Sequence, residues 1–200
     1  MSEAPAKAVR PVFARHAASL LLWRRGAAGL EVLMGVRGAG HRFMPNRLVF
    51  PGGAVDPGDA VAPAASEPDP AVLAVIGGKA RARLGRGLVV AAARELEEET
   101  GLSFGRPPRL DGISYLCRAV TPPTSPIRFN ARFFVADAAL VQGEPGNSGE
   151  LGAVRYYPVL EALELGLMDV TRAVLERLEG HLQGKTEMLT AFKQRRWSRD

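Results

Sequence analysis

Two apolar runs near the start of the chain, Ala17 to Arg24 and Leu30 to Val36, are separated by Arg25-Gly26-Ala27-Ala28-Gly29. Short apolar runs flanking such a break predict a β-hairpin. Before them, residues 1 to 15 read as an extended arm. After them, residues 37 to 47 form a polar loop, and Leu48-Val49-Phe50 reads as a short buried strand stopped by a turn at Pro51-Gly52-Gly53. Residues 54 to 70, rich in Pro, Ala and Asp, are loop-like. Ala71 to Leu84 predicts a helix weakened at Gly77-Gly78. From Leu88 to Thr100 the pattern is firmly helical, with Val89, Ala92, Ala93 and Leu96 on one stripe. Gly101 suits the left-handed position after a helix, with Leu102 as its apolar contact. Strands are expected at 111 to 119 and 128 to 136, joined by a Pro-rich loop, and again from Val154 to Pro158. A last helix carries Val170, Val174, Leu175, Leu178 and Leu182. Strands and helices mixed in this order predict an α/β domain with helices on both faces of mixed sheets.

The 200 residues suffice for one domain with a sizeable core. A net charge of +5 and a pI of about 9.9 suit polyanionic ligands without by themselves indicating nucleic acid. Cys117 is the only cysteine, which excludes an internal disulfide and a Cys-based zinc site. Ala17 to Trp23 is far short of the roughly 20 residues that span a bilayer. The first 25 residues, rich in Arg and Ala, faintly resemble a transit peptide, but the folded pattern from His16 onward makes a soluble cytoplasmic protein the expectation. No Gly-x4-Gly-Lys-[Ser/Thr] phosphate loop and no dinucleotide-type Gly-x-Gly-x-x-Gly is present; Gly78-Lys79 is followed by Ala80, which has no hydroxyl for Mg²⁺.

The chemistry is concentrated in Arg94-Glu95-Leu96-Glu97-Glu98-Glu99-Thr100-Gly101-Leu102. On a helix Glu95, Glu98 and Glu99 stand at i, i+3 and i+4 and share a face, while Leu96 turns to the core. Two carboxylates about 4 Å apart repel by on the order of 4 kcal/mol at an effective dielectric of 20. A hard divalent cation taking oxygen ligands would offset this. A solvated acidic face is the plain alternative. A di-iron carboxylate bundle would need Glu-x-x-His pairs, and this helix has no histidine.

Together with Pro51-Gly52-Gly53-Ala54-Val55-Asp56-Pro57-Gly58-Asp59, this segment resembles the Nudix hydrolases, whose box reads G-x5-E-x7-R-E-U-x-E-E-x-G-U with U apolar. Arg94 to Leu102 match every specified position of the second half. In the first half Gly53 leads to Asp59 where the family has Glu, and 34 residues rather than seven follow before Arg94. The box is interrupted by roughly 27 residues, and the insertion is placed at about 60–87. Phe43-Met44-Pro45 ahead of Val49 to Gly53, and Arg128-Phe129-Asn130-Ala131-Arg132-Phe133-Phe134 later, are similar to the coenzyme A diphosphatase branch of the superfamily.

The resemblance implies an α/β/α sandwich with mixed β-sheet, occupying residues 16–200 as one domain with a helical C-terminus. It implies a pyrophosphohydrolase using Mg²⁺ or Mn²⁺. The metal ligands would be Glu95, Glu98 and Glu99, with the carbonyl of Gly52 or Gly53. Glu95 and Glu98 form the expected catalytic set with Arg94, which can fix the orientation of Glu95. Arg37, Arg42, Gly52 and Gly53 are candidates for substrate binding. Glu150 is the candidate for a further acid, with Glu144 behind it. Asp56 and Asp59 either lie near the metals or cap the turn. Glu97 is expected to be solvated, and His16, His41 and His181 show no metal-ligand spacing. Lys79, Arg81, Arg83 and Arg86 read as a basic helix face or a phosphate contact, and Lys193 to Trp197 as a solvated tail. The leading substrate is coenzyme A or an acyl-CoA. ADP-ribose, NADH and dinucleoside polyphosphates stay open, as do a non-catalytic nucleotide-sensing module and, on pI alone, an RNA-associated protein. The expected partner is a small nucleotide diphosphate, with no membrane and no nucleic acid; a homodimer stays open.

Overall fold

In a computed structural model of the chain, residues 12–27, 29–40, 45–185, 190–193 and 196–199 are described. Arg42, with its neighbours 41, 43 and 44, falls outside them, as do residues 1–11 of the expected arm.

β1 (Arg15–Gly26) and β2 (Gly29–Arg37) form the expected hairpin, antiparallel from Trp23 opposite Val32 to Gly26 opposite Gly29. Away from that turn the two strands part. The edge each leaves open is taken by a short excursion of chain: β3 (Leu48–Val49) pairs with β2 at Gly35 and Val36, and β4 (Gly52–Ala54) pairs with β1 at Ala17 to Ser19. The expected turn at Gly52-Gly53 is therefore a strand. Its reason is close approach: a Cβ on Gly52 would stand closer than 3.0 Å to the carbonyl oxygen of Ala18 and to Ser19.

The helical segment expected from Ala71 to Leu84 splits where the glycines stand. α1 (Pro70–Ile76) begins with Pro70 at its first position and Asp69 accepting from the Ala71 N–H at 2.7 Å, and it stops at Gly77, whose φ is +142°. A 3₁₀ turn, Gly78–Arg81, leads into α2 (Ala82–Thr100). α2 ends at Gly101 with φ +78°, its N–H donating to the Glu97 carbonyl at 2.9 Å.

β5 (Ser114–Val120) and β6 (Phe129–Asp137) are antiparallel, and β6 runs parallel to β1 from Arg15 opposite Phe129 to Trp23 opposite Asp137. β7 (Leu151–Pro158) covers the outer edge of β2, followed by α3 (Val159–Glu164), which the pattern did not announce, and α4 (Asp169–Leu182). The expected solvated tail is instead β8 (Thr190–Lys193) and β9 (Arg196–Arg199), with β8 parallel to β5. Phe192 packs on Trp197 with ring centroids 5.2 Å apart, and the Arg177 guanidinium lies 4.3 Å from the Trp197 centroid. The sheet runs β3-β2-β1-β6-β5-β8-β9, with β4 beside β1 and β7 beside β2.

Strand alternation sorts the core into two layers. Ala18, Leu20, Leu22 and Phe134 join Leu88, Val89, Ala92 and Leu96 of α2 on one face. Leu21, Val32, Met34, Phe133 and Val135 join Val174, Leu175 and Leu178 of α4 on the other. Helices thus cover both faces of a mixed sheet. No helix among the described residues is long and apolar enough to cross a membrane.

Candidate active site

β4 carries Gly52 and Gly53 against the last two turns of α2. The Gly52 N–H donates to Oε2 of Glu99 at 2.7 Å, a bond that spans 47 positions of sequence. A Cβ on Gly53 would stand closer than 3.0 Å to the Glu95 carboxylate, so only glycine lets that side chain lie against the strand. Both glycines, with Glu95, Glu98, Glu150 and Arg37, line one cleft of about 690 Å³. Its apolar walls include Phe50, Phe129, Phe133, Val170 and Phe192. Phe192 belongs to β8, which ends at Lys193, the first residue of the expected tail.

Glu99 is 2% exposed, and its Oε1 has no hydrogen-bond partner among the described residues. Burial pushes its pKa up to about 7; the Gly52 N–H and Arg37 act the other way, while Glu95 and Glu150 add to the rise. Glu95 is also raised, first by burial, with Arg94 opposing and Glu98 and Glu150 reinforcing. Glu150 reaches the cleft from the loop before β7, and its charge is felt by both Glu95 and Glu99. Arg37 donates from Nη2 to the Gly52 carbonyl at 3.4 Å, and its Nε is buried without a partner among the described residues. Glu144 lies outside the cleft lining.

Arg94 organises the helix side. Its Nε donates to Asp59 Oδ1 at 3.0 Å, and Nη2 to Asp59 Oδ2 at 3.2 Å and the Ala54 carbonyl at 3.1 Å. Nη1 donates to Glu95 Oε1 and Glu98 Oε2, each at 2.9 Å. Those contacts use all five N–H groups of the guanidinium. Its pKa is held above the ordinary arginine value, chiefly by the bonds to Asp59. Arg94 thus relieves the repulsion between Glu95 and Glu98, the task a cation alone was expected to perform. Among the described residues no three His, Cys, Asp or Glu side chains converge closely enough to hold an ion as they stand.

Asp59 is 4% exposed and also accepts from the Asp56 N–H at 2.7 Å, so it is both cap and anchor. Asp56, 3.7 Å from Arg94, is largely exposed. Glu97 is not simply solvated: it accepts from Arg106 Nε at 2.6 Å and Ser103 Oγ at 3.1 Å beyond the helix end. Arg86 leaves the expected basic face and turns inward, donating to Glu67 at 2.7 and 2.9 Å and to the Ala62 carbonyl at 2.8 Å. The residue that sequence reasoning placed least well was Asp59. Its signal was the Gly-x5-acid spacing from Gly53.

A family model for the NUDIX domain matches residues 65–178. No curated protein matches the sequence. Among solved structures, a NUDIX hydrolase from Alicyclobacillus acidocaldarius is 29% identical, with a TM-score of 0.62 over 82% of this chain and 90% of that one. A MutT NUDIX hydrolase from Burkholderia pseudomallei is 20% identical, with a TM-score of 0.56 over 84% and 99%. The NUDIX domain of Shewanella oneidensis NrtR, complexed with ADP ribose, is 16% identical, with a TM-score of 0.57 over 86% and 90%. The last two share the fold. With the family model covering more than half its length, the chain belongs to the Nudix family and is a pyrophosphohydrolase.

Proposed function

We propose that this chain hydrolyses a nucleoside diphosphate linked to a second moiety, with coenzyme A or an acyl-CoA as leading substrate. The observation that carries the reading is the buried, partnerless Oε1 of Glu99, set beside Gly52, Gly53 and Glu95 in one cleft. A carboxyl orphaned at that depth must keep a proton or gain a positive partner. A divalent cation, Mg²⁺ or Mn²⁺, fits that donor set. Glu95, Glu98 and Glu99 would hold it with a glycine carbonyl from β4, and it would supply charge neutralisation of the diphosphate and an acidified water. Glu98, more exposed than its two neighbours, has the freedom to exchange Arg94 for an ion.

The remaining steps belong to the chain's own side chains. Arg37, at the cleft wall, holds a substrate phosphate, and Arg42 is retained in that role although it lies outside the described residues. Glu95, whose carboxylate binds protons more readily than an exposed one, accepts the proton of the attacking water, with Glu98 beside it. Glu150 supplies the further acid. Arg94, with every donor engaged, is a positioning residue for Glu95 and Glu98 rather than a group that touches substrate. The apolar walls from Phe50 to Phe192 suit a moiety with little charge, such as a pantetheine or acyl chain. Residues 60–87 are read as part of the same catalytic domain, since Val72 and Ile76 pack in the core layer with Leu88 and Leu96 and Ser66 donates to Asp111. A homodimer would be read from the mass in solution.

The test is product analysis from coenzyme A, acetyl-CoA, ADP-ribose, NADH and a diadenosine polyphosphate, each with Mg²⁺ or Mn²⁺. Glu98→Gln serves as control and should lower turnover at least about 100-fold, the lower range of acid–base contributions. Cleavage of coenzyme A to 3′,5′-ADP and phosphopantetheine supports the full reading. Preference for another compound keeps the chemistry and discards the substrate. Silence across the panel from folded protein discards these substrates and points to a diphosphate outside the panel or to a nucleotide sensor.

A further inference from the structure

A second groove, of about 640 Å³, lies beside the catalytic cleft and is lined by Arg15, His16, Arg81 and Arg83, with Asp56 as its only acid. Its basic residues come from two distant parts of the chain. Arg15 and His16 open β1, while Arg81 and Arg83 sit where the 3₁₀ turn passes into α2, within the stretch that interrupts the box. Neighbouring arginines are spent on carboxylates: Arg86 on Glu67, Arg94 on Asp59, Arg106 on Glu97, Arg109 on Asp111. Arg15, Arg81 and Arg83 have no such partner among the described residues, and Asp56 is drawn toward Arg94. The stem of Arg81 is seated, since a Cβ on Gly77 would come within 2.8 Å of its Cδ. His16 reports the resulting field. Its pKa is lowered first by burial and then by the Arg132, Arg118 and Arg81 charges. Like charges gathered around one concavity, without counter-charges of their own, focus a positive potential that an anion relieves.

The groove adjoins the cleft at Arg15, which lines both. Ala18 pairs with Gly53, and Arg15 stands three residues earlier on β1. At about 3.3 Å per residue that places Arg15 roughly 10 Å along the strand from the glycine that faces Glu95. Alternation then directs His16 to the α2 side, and the Val55 N–H donates to its carbonyl at 3.0 Å, joining the groove to the end of β4. A phosphate about 10 Å from a scissile diphosphate matches a nucleotide that bears a phosphomonoester elsewhere on its ribose.

We propose that Arg15, His16, Arg81 and Arg83 form a second phosphate-binding groove for a phosphomonoester carried by the substrate apart from its scissile diphosphate. This rests on the diphosphate-hydrolase reading above. It makes the segment around Arg81 and Arg83 a specificity element and narrows the substrate class to nucleotides with an extra ribose phosphate.

The experiment compares wild type with Arg81→Ala/Arg83→Ala on two matched pairs, coenzyme A against 3′-dephospho-coenzyme A and NADPH against NADH. Both arginines are exposed, and a Lys/Lys variant that keeps the charge controls for folding. Wild type should prefer the phosphorylated member of one pair by at least about tenfold in kcat/KM, mainly through KM, as a charge-assisted phosphate contact implies. The Ala/Ala variant should bring that preference to within about twofold, and Lys/Lys should recover most of it. No preference in wild type, or one that survives Ala/Ala, overturns the proposal. Calorimetric binding of 3′,5′-ADP against 5′-AMP tests the groove without turnover, so a failed hydrolase reading stays distinguishable. Tighter binding of 3′,5′-ADP that Ala/Ala removes supports the groove, and equal binding of the two overturns it. A third arm titrates inorganic phosphate. Phosphate that binds wild type but not Ala/Ala, with no discrimination within the matched pairs, would assign the groove to a separate anion and overturn the substrate role.

Discussion

Glu99 makes the ion-free protein less stable as pH rises, and Glu99→Gln should remove that dependence. Its carboxyl is buried and pushed up to about 7, against 4.5 in an unfolded chain. Between those two values the folded state keeps a proton that the unfolded state has released, so stability falls as pH rises through the window and levels off above it. The full rise corresponds to roughly 3 kcal/mol at pH 8, on an order-of-magnitude basis. Glutamine has no proton to lose. Its amide at the position of the partnerless Oε1 costs about 1–3 kcal/mol, but that cost is the same at every pH. Urea denaturation in the presence of a chelator at pH 5, 6.5 and 8 reads the effect. The stability of Glu99→Gln relative to wild type should climb by about 2–3 kcal/mol from pH 5 to pH 8. Adding Mg²⁺ at pH 8 should then stabilise wild type, by about 2.7 kcal/mol at a hundredfold excess over Kd, and the variant less. A flat difference across the pH series would refute the argument, because it would mean that Glu99 is not held in its protonated form by burial.

The same geometry yields three further expectations. Asp59→Asn breaks the fork on Arg94 and should cost about 2–3 kcal/mol in denaturant unfolding, the scale of a lost charged hydrogen bond, with kcat falling as Glu95 and Glu98 lose their restraint. Gly53→Ala pushes on the Glu95 side chain and should lower kcat at least about tenfold with little change in Tm, whereas Gly52→Ala pushes on the β1 backbone and should lower Tm. Chelation should abolish turnover while leaving the far-ultraviolet circular dichroism unchanged, since two apolar layers hold the fold together; a collapse of the spectrum would mean a structural ion.

What the sequence revealed and what it hid divide along physical lines. The stripe Val89-Ala92-Ala93-Leu96 and the terminal Gly101 announce α2, because a 3.6-residue period and a left-handed stop are local properties. The hairpin is legible for the same reason. β4 is three residues long and has no period to read; it is a strand only because β1 parts from β2 and leaves an edge. The hairpin of β8 and β9 is obscured by its Lys and Arg, although Phe192 and Trp197 make its contacts. Arg86 looked like one more solvated cation, since nothing local signals a Glu67 partner 19 residues away. The three glutamates were legible as a face. That Glu99 would turn to Gly52 while Glu95 and Glu98 share Arg94 depends on where β4 is held, and no spacing within the helix encodes that.

The spacing proposed as an interruption of the box is compatible with this arrangement. Closing 34 residues between Asp59 and Arg94, in place of seven, costs about 1.4 kcal/mol more in loop entropy, because the cost grows only with the logarithm of length. The two-pronged bond from Arg94 to Asp59, which joins the ends of that loop, is of a kind worth about 1.5–3 kcal/mol per charged hydrogen bond and offsets the difference. Arg86 adds a second tie, through Glu67 and the Ala62 carbonyl, that shortens the free span further. Glu95 and Glu98 are therefore held, through Arg94, by the Asp59 carboxylate at the other end of the long segment. Arg81 and Arg83 stand on the exposed surface of that segment. On the proposed reading of the groove, a change of sequence there alters recognition and leaves the bond between Arg94 and Asp59 in place.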